Sequence, residues 1–121
     1  HGAALLLTHG RARVLLAPGA DPAMVEALAQ DANLAGLTAL LLPDGGYAAV
    51  NPTDWLQRLA PGLVLISVAA GNDRGLPSPA VVSWLQGRSV LRTDRDGWIE
   101  LISDGRQLWV QAERAPVSPA P

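Results

Sequence analysis

Two short loops hold most of the residues that could do chemistry together in this chain. The first is Pro43–Tyr47, which contains Asp44 and two glycines, and the second is Ala69–Gly75, which contains Asn72 and Asp73. Carboxylate and amide oxygens of this kind bind hard cations or hydroxylated ligands. Asp, Asn and Gly are also common turn-forming residues, so tight turns alone are a second explanation of both loops.

The sequence contains few of the residues and motifs that other kinds of catalytic site need. His1 and His9 are the only histidines, and they do not form a pair at zinc-binding spacing. The chain has no cysteine, no serine-hydrolase elbow, no phosphate-binding loop and no dinucleotide fingerprint. Asp94 and Asp96 flank Arg95, which is read either as an acid pair or as a self-neutralising turn before a glycine.

Composition excludes several functional classes. The 121 residues correspond to one domain, and 49% hydrophobic residues with a net charge of −2 exclude disorder as the main description. All nine basic residues are arginines and are outnumbered by eleven acidic ones, which argues against a sequence-independent nucleic-acid clamp. No apolar run approaches the roughly 20 residues of a spanning helix. A chain that begins at His1 is tagged, processed or cut from a longer one, and we favour a cut.

Three helices are predicted from one repeated signal. Asp21, Asn51 and Ser78 each precede a proline that is followed by apolar residues at helical spacing. A capping side chain followed by proline at the first helical position is typical of a helix N-terminus. Gly87 is predicted to end the third helix.

Two apolar runs between the helices, Leu37–Leu42 and Leu63–Val68, are predicted to be buried parallel strands. The two polar loops follow these strands, where an open α/β sheet places its ligand crevice. Hairpins and a short strand complete the sheet, and the segments are Ala4–Thr8 with Ala12–Ala17 around His9-Gly10, Ser89–Arg92, and Trp98–Ile102 with Gln107–Gln111 around a type I′ turn at Asp104-Gly105.

The predicted fold class is therefore α/β, a mixed β-sheet with helices on one face. We assign residues 1–113 to this domain and residues 114–121 to a proline-rich, unstructured tail. The four tryptophans are predicted to fill the core rather than to stack on bases, because the chain lacks Phe; they are Trp55, Trp84, Trp98 and Trp109.

Two segments, Leu63–Pro79 and Val90–Gly97, resemble the C-terminal part of ComEC-type competence proteins. These are membrane proteins of DNA uptake that carry a soluble domain of the metallo-β-lactamase fold. Ala4–Ala17 and Leu37–Leu59 are similar to further parts of that domain, so the resemblance runs from about Ala4 to Ile102. It implies the second half of a metallo-β-lactamase αβ/βα sandwich, in an extracytoplasmic domain of a bacterial membrane protein.

The chain departs from the family at the metal ligands. The ligand Asp of the family is matched by Gly19, with Asp21 the nearest acid, and two ligand histidines are matched by Asp44 and Leu76. The family's upstream His-x-His-x-Asp-His cluster is absent from this sequence. The resemblance thus implies no bound metal, no cofactor and no catalytic residue, with a vestigial site loop composed of Asp21, Asp44, Asn72 and Asp73.

Three functions remain open at this stage. The first is a non-catalytic module of a DNA-uptake membrane protein, acting as a scaffold or binding surface. The second is a metal-dependent phosphodiesterase or nuclease whose ligands come from a missing N-terminal half, and the third is an interaction domain unrelated to DNA. DNA as a partner is suggested only by Arg88, Arg92 and Arg95. An open sheet face is expected to be covered by the missing half or by a second copy.

Overall fold

A five-stranded mixed sheet lies at the centre of the molecule. The computed structural model describes residues 3–120, and the prediction about His1 lies outside them. The strands stand in sequence order across the sheet; β1 runs antiparallel to β2, and β2 to β5 are parallel, which confirms the predicted mixed directions. Their bounds are Leu5–His9 (β1), Ala12–Leu16 (β2), Ala39–Leu41 (β3), Leu63–Ile66 (β4) and Val90–Arg92 (β5).

A second, antiparallel sheet is formed by β6 (Ile99–Ser103), β7 (Leu108–Ala112) and β8 (Ala115–Pro119). Strand β8 pairs with β7, so the prediction of an unstructured C-terminal tail is wrong. The division of the chain into two units at that point stays a prediction.

The turn between β6 and β7 also differs from the prediction. It is a four-residue loop in which Asp104 N donates to Gln107 O at 3.2 Å. Only Gly105 in this loop has a positive φ, whereas a type I′ turn needs two such residues.

The helices are short. They are α1 (Pro22–Ala29), α2 (Thr53–Leu59), α3 (Pro79–Trp84) and the single turn α4 (Thr93–Asp96), with 3₁₀ turns at Ala32–Leu34, Pro43–Gly46 and Ala48–Val50. Within residues 3–120, no helix has the length and apolar content needed to cross a membrane.

Of the three predicted helix caps, one is confirmed in full. The Asp21 side chain accepts from Met24 N at 2.9 Å and caps α1. Ser78 occupies the N-cap of α3, but its hydroxyl accepts from Ala48 N in another loop instead. The predicted cap at Asn51 is wrong, because α2 begins at Thr53 with Pro52 at the N-cap.

Asn51 has a different structural role. Its side chain is completely buried, and Nδ2 donates to the carbonyl oxygens of Pro43 at 3.1 Å and Tyr47 at 2.8 Å. The amide therefore fixes the loop that follows β3. A capping carboxylate or hydroxyl could not donate both bonds at once.

Each face of the five-stranded sheet carries its own core. Helices α1 to α3 pack on one face, around Trp55, Leu40 and Val64, which confirms the predicted layer of helices. The other face is covered over β2 to β5 by β6 and β7, through residues such as Leu108 and Val110. The sequence predicted that this face is open and is covered by another polypeptide, whereas β6 and β7 of the same chain cover it.

The prediction that the tryptophans fill the core is fully confirmed for one of the four side chains. Trp55 is completely buried, and Trp84 is partly buried against the same core. Trp98 and Trp109 are 50% and 39% exposed, so assigning them to the core was wrong. Strand alternation places Trp109 on the outward face of β7, between the inward-facing Leu108 and Val110.

Candidate functional site

The loops after β3 and β4 come together at the carboxyl end of the sheet, as the strand order predicts. Both carboxylate oxygens of Asp44 accept from the guanidinium of Arg74, each at 2.9 Å. The guanidinium carbon of Arg74 lies 5.5 Å from the centre of the Tyr47 ring. Hydrogen bonding to Arg74 holds the pKa of Asp44 below its ordinary value. Asp44 is therefore ionised and already paired at neutral pH.

Asn72 braces its own loop. Its Oδ1 accepts from Leu76 N at 2.8 Å, while Nδ2 donates to Leu76 O at 2.8 Å and to Ala69 O at 3.0 Å. All three bonds stay within the loop after β4. The amide thus acts as an internal brace, and its polar atoms are engaged by backbone groups.

The two loops are joined by backbone contacts. Ser78 N donates to Gly46 O at 3.1 Å, and Asp44 N donates to Pro18 O in the loop after β2 at 3.1 Å. Gly46 has a φ of 81°, and a Cβ there would approach Pro77 Cβ to 2.8 Å. Glycine is needed at this position for both its conformation and its close contact.

The remaining predicted site residues do not join this cluster as ligands. Asp21 caps α1, and Asp73 is exposed next to Arg74 in sequence. Gly19 has no side chain, and Leu76 is buried under the loop. Among residues 3–120, no three His, Cys, Asp or Glu side chains are grouped closely enough to hold a metal ion.

The acidic triplet after β5 forms α4 and closes that edge of the sheet. Asp94 receives two bonds from the Arg92 guanidinium, at 3.0 and 2.7 Å. Asp96 accepts from Arg92 N at 2.9 Å, and Arg95 donates to Val90 O at 3.0 Å. The triplet therefore forms hydrogen bonds with backbone groups of β5 that point away from the rest of the sheet.

Sequence reasoning missed several of these partners. Arg74 and Tyr47 carry no pattern that links them to Asp44. Thr93 was also missed; its hydroxyl accepts from Val68 N and donates to Val68 O, both at 2.8 Å, and so ties the β4 loop to the end of β5. Such bonds depend on strand order in the sheet, which local sequence does not specify.

Strand β1 forms the opposite edge of the sheet, and within residues 3–120 it is much more exposed than β5. Every residue of β1 is exposed, and Leu5, Leu6 and Leu7 are 56%, 38% and 47% exposed. Their partners on β2 include Leu15 and Val14, which are buried. The second sheet contacts β1 at its end, where His9 meets Ser103.

A cavity of about 270 Å³ opens between β1 and the second sheet, with walls of Leu7, Leu16, Leu101 and Leu108. At its end, His9 Nδ1 lies 2.9 Å from Ser103 Oγ, and Arg11 N donates to Gly105 O at 2.7 Å. These contacts hold the tips of the two hairpins together.

In comparisons with known proteins, the chain matches no protein-family model, no curated protein and no solved structure.

Proposed function

We propose that this chain is a non-catalytic, metallo-β-lactamase-like module that acts as a binding surface, as expected from its resemblance to ComEC-type DNA-uptake proteins. Strand β1 is the surface, and it binds by adding a strand from another polypeptide to the edge of the sheet. An extracytoplasmic location in a bacterial membrane protein is part of the same proposal, and it rests on the resemblance alone.

The exposed β1 strand is the observation that carries this proposal. Edge strands of soluble proteins are usually guarded by charges, prolines, bulges or a covering segment, because their free backbone groups template further pairing. Leu5–His9 has no Asp, Glu, Lys, Arg or Pro, and three of its five residues are leucines. Strand addition would pair the backbone and cover these leucines together.

The paired state of Asp44 supports the non-catalytic part. Both oxygens of Asp44 accept from the Arg74 guanidinium at 2.9 Å, and this fixed positive charge would repel a metal cation approaching the carboxylate. A cation bound at Asp44 would therefore have to displace Arg74 or share the carboxylate with it.

The proposal commits to a second copy of this chain as the donor of the added strand. Two β1 strands related by a two-fold axis pair antiparallel, and each surface then contacts itself. Because β1 carries no Asp, Glu, Lys or Arg, self-pairing opposes no like charges of these residues along the strand. A strand from an N-terminal half of the protein is the competing donor.

Light scattering combined with intact mass tests this surface. The expected particle has twice the 12.6 kDa mass of the chain. Leu7→Glu should give the monomer, because it places a charge in the paired strand. Val82→Glu is the control, since Val82 is an exposed apolar residue on α3.

The outcomes separate the two donors. A monomer that co-purifies with a fragment, or binds an apolar-surface dye through Leu7, assigns the strand to another polypeptide. A monomer of 12.6 kDa with no fragment and no dye bound overturns the proposal.

Metal content and hydrolysis test the non-catalytic part. We expect less than one equivalent of zinc or manganese per chain after dialysis against chelator-free buffer, and no change in the Asp44→Ala variant. A bound metal that Asp44→Ala removes, together with phosphodiesterase activity, would establish the enzyme instead.

A further inference from the structure

The three arginines Arg88, Arg92 and Arg95 surround one cavity beside β5. The cavity has a volume of about 280 Å³ and lies on the side of the sheet opposite β1 in strand order. Its apolar wall is formed by Val82, Leu85 and Val90, among others. Arginines next to an apolar wall match the two ends of an amphipathic anion.

Two of these arginines are fixed in place by acidic residues. Asp94 binds two nitrogens of Arg92, and Asp96 accepts from Arg95 at 3.1 Å. Three guanidinium groups therefore face two carboxylates, and the group keeps a net charge of +1. The excess positive charge belongs to the arginine that has no acidic partner.

Arg88 is that arginine. Within residues 3–120 its side chain makes no hydrogen bond or ion pair, and it is an exposed residue of the cavity lining. Its backbone is fixed, because Arg88 N donates to Leu85 O at 3.0 Å directly after Gly87, whose φ is 81°. A guanidinium offers up to five N–H donors in a planar fork that fits a carboxylate or phosphate.

We propose that this cavity binds a small anion carried on a short apolar chain. The carboxylate or phosphate group binds Arg88, and the apolar chain lies against Val82, Leu85 and Val90. The size of the cavity limits the ligand to a small molecule, since pockets for drug-sized ligands start at about 300 Å³. This site is separate from β1, so it stands or falls independently of the proposed function.

The test measures binding of hexanoate and hexyl phosphate by isothermal titration at low ionic strength, where surface charges are least screened. Acetate and inorganic phosphate supply the anion alone, and hexanol supplies the apolar chain alone. We expect saturable binding of one or both amphipathic anions. The stronger of the two identifies the headgroup as carboxylate or phosphate.

Variants locate the binding site. Arg88→Ala should weaken binding about tenfold, since it removes a charge-assisted hydrogen-bonded contact. The single variant Val82→Asp should weaken binding more than Arg88→Ala does, because it places a negative charge on the apolar wall. Arg106→Ala is the matched control, because Arg106 is also exposed and its side chain makes no bond in the described residues, and it should bind like the wild type.

Four results would overturn the proposal. They are no saturable binding, equal binding of acetate or inorganic phosphate, equal binding of hexanol, and an equal loss in Arg88→Ala and Arg106→Ala. The first denies a site, the second and third deny that both ends of the ligand are recognised, and the fourth assigns binding to overall charge.

Discussion

Replacing Asn51 with aspartate distinguishes a helix cap from a buried donor. Asparagine and aspartate are almost equally good N-caps, so a capping Asn51 predicts little change. In the structure, Asn51 is completely buried and donates to two carbonyl oxygens. Aspartate at this position would face both carbonyls with an acceptor instead of a donor.

The expected magnitude follows from these contacts. Asn51→Ala loses two hydrogen bonds worth about 1 kcal/mol each, and it also removes Oδ1, which has no partner in the described residues. The expected loss in unfolding free energy is therefore about 2 kcal/mol. Asn51→Asp should lose about 3–5 kcal/mol, because it buries an unpaired charge.

Urea unfolding followed by circular dichroism at pH 7 measures both variants. The loss in Asn51→Asp should shrink as the pH falls, because burial raises the pKa of the new carboxyl and the folded state then takes up its proton first. Asn33→Asp is the control, since Asn33 is exposed, and it should stay within about 0.5 kcal/mol of wild type. A stability of Asn51→Asp that also lies within this range would refute the buried-donor assignment.

Four further substitutions test other contacts by the same unfolding measurement. Trp55→Ala should cost on the order of 3–5 kcal/mol, and Trp109→Ala less than half as much, because only Trp55 is fully buried; equal losses would contradict the two burial states. Asp44→Asn should cost about 0.2–1 kcal/mol at neutral pH, since both partners of its ion pair are largely exposed. Arg74 lowers the folded-state pKa of Asp44, so this contribution is complete above the unfolded carboxyl pKa of about 3.9 and is lost as pH falls through the lower folded value; a difference that persists in acid would contradict it. Gly10→Ala should cost at least about 1 kcal/mol, because φ is 57° and a Cβ would collide with Gly105 O. An unchanged stability would mean that the two hairpin tips are further apart than described.

Local patterns in the sequence were sufficient to predict the main elements. The apolar runs at 37–42 and 63–68 contain β3 and β4, and the Asp21-Pro22 pair marks the start of α1. These signals are local, because a cap and its proline act within one turn and a buried strand is apolar along its own length. The alternation of such elements was enough to predict an α/β fold.

Contacts between distant segments could not be predicted in the same way. Asp44 and Arg74 are thirty residues apart and both lie in turn-like sequences, so their pairing follows only from the order of β3 and β4 in the sheet. The apolar sequence of β1 likewise predicts a strand but does not distinguish an edge from a central position. The role of Asn51 was missed because an asparagine followed by proline is compatible with both a helix cap and a buried bend.

Amide hydrogen exchange along β1 tests the proposed binding surface most directly. If a second copy pairs with β1, the outward-facing amides of Leu5–His9 should become protected as the protein concentration rises, while those bonded to β2 are protected throughout. In Leu7→Glu the outward amides should exchange freely at every concentration. Free exchange of the outward amides in the wild type across the whole concentration range, with no fragment or other chain attached, would contradict the account.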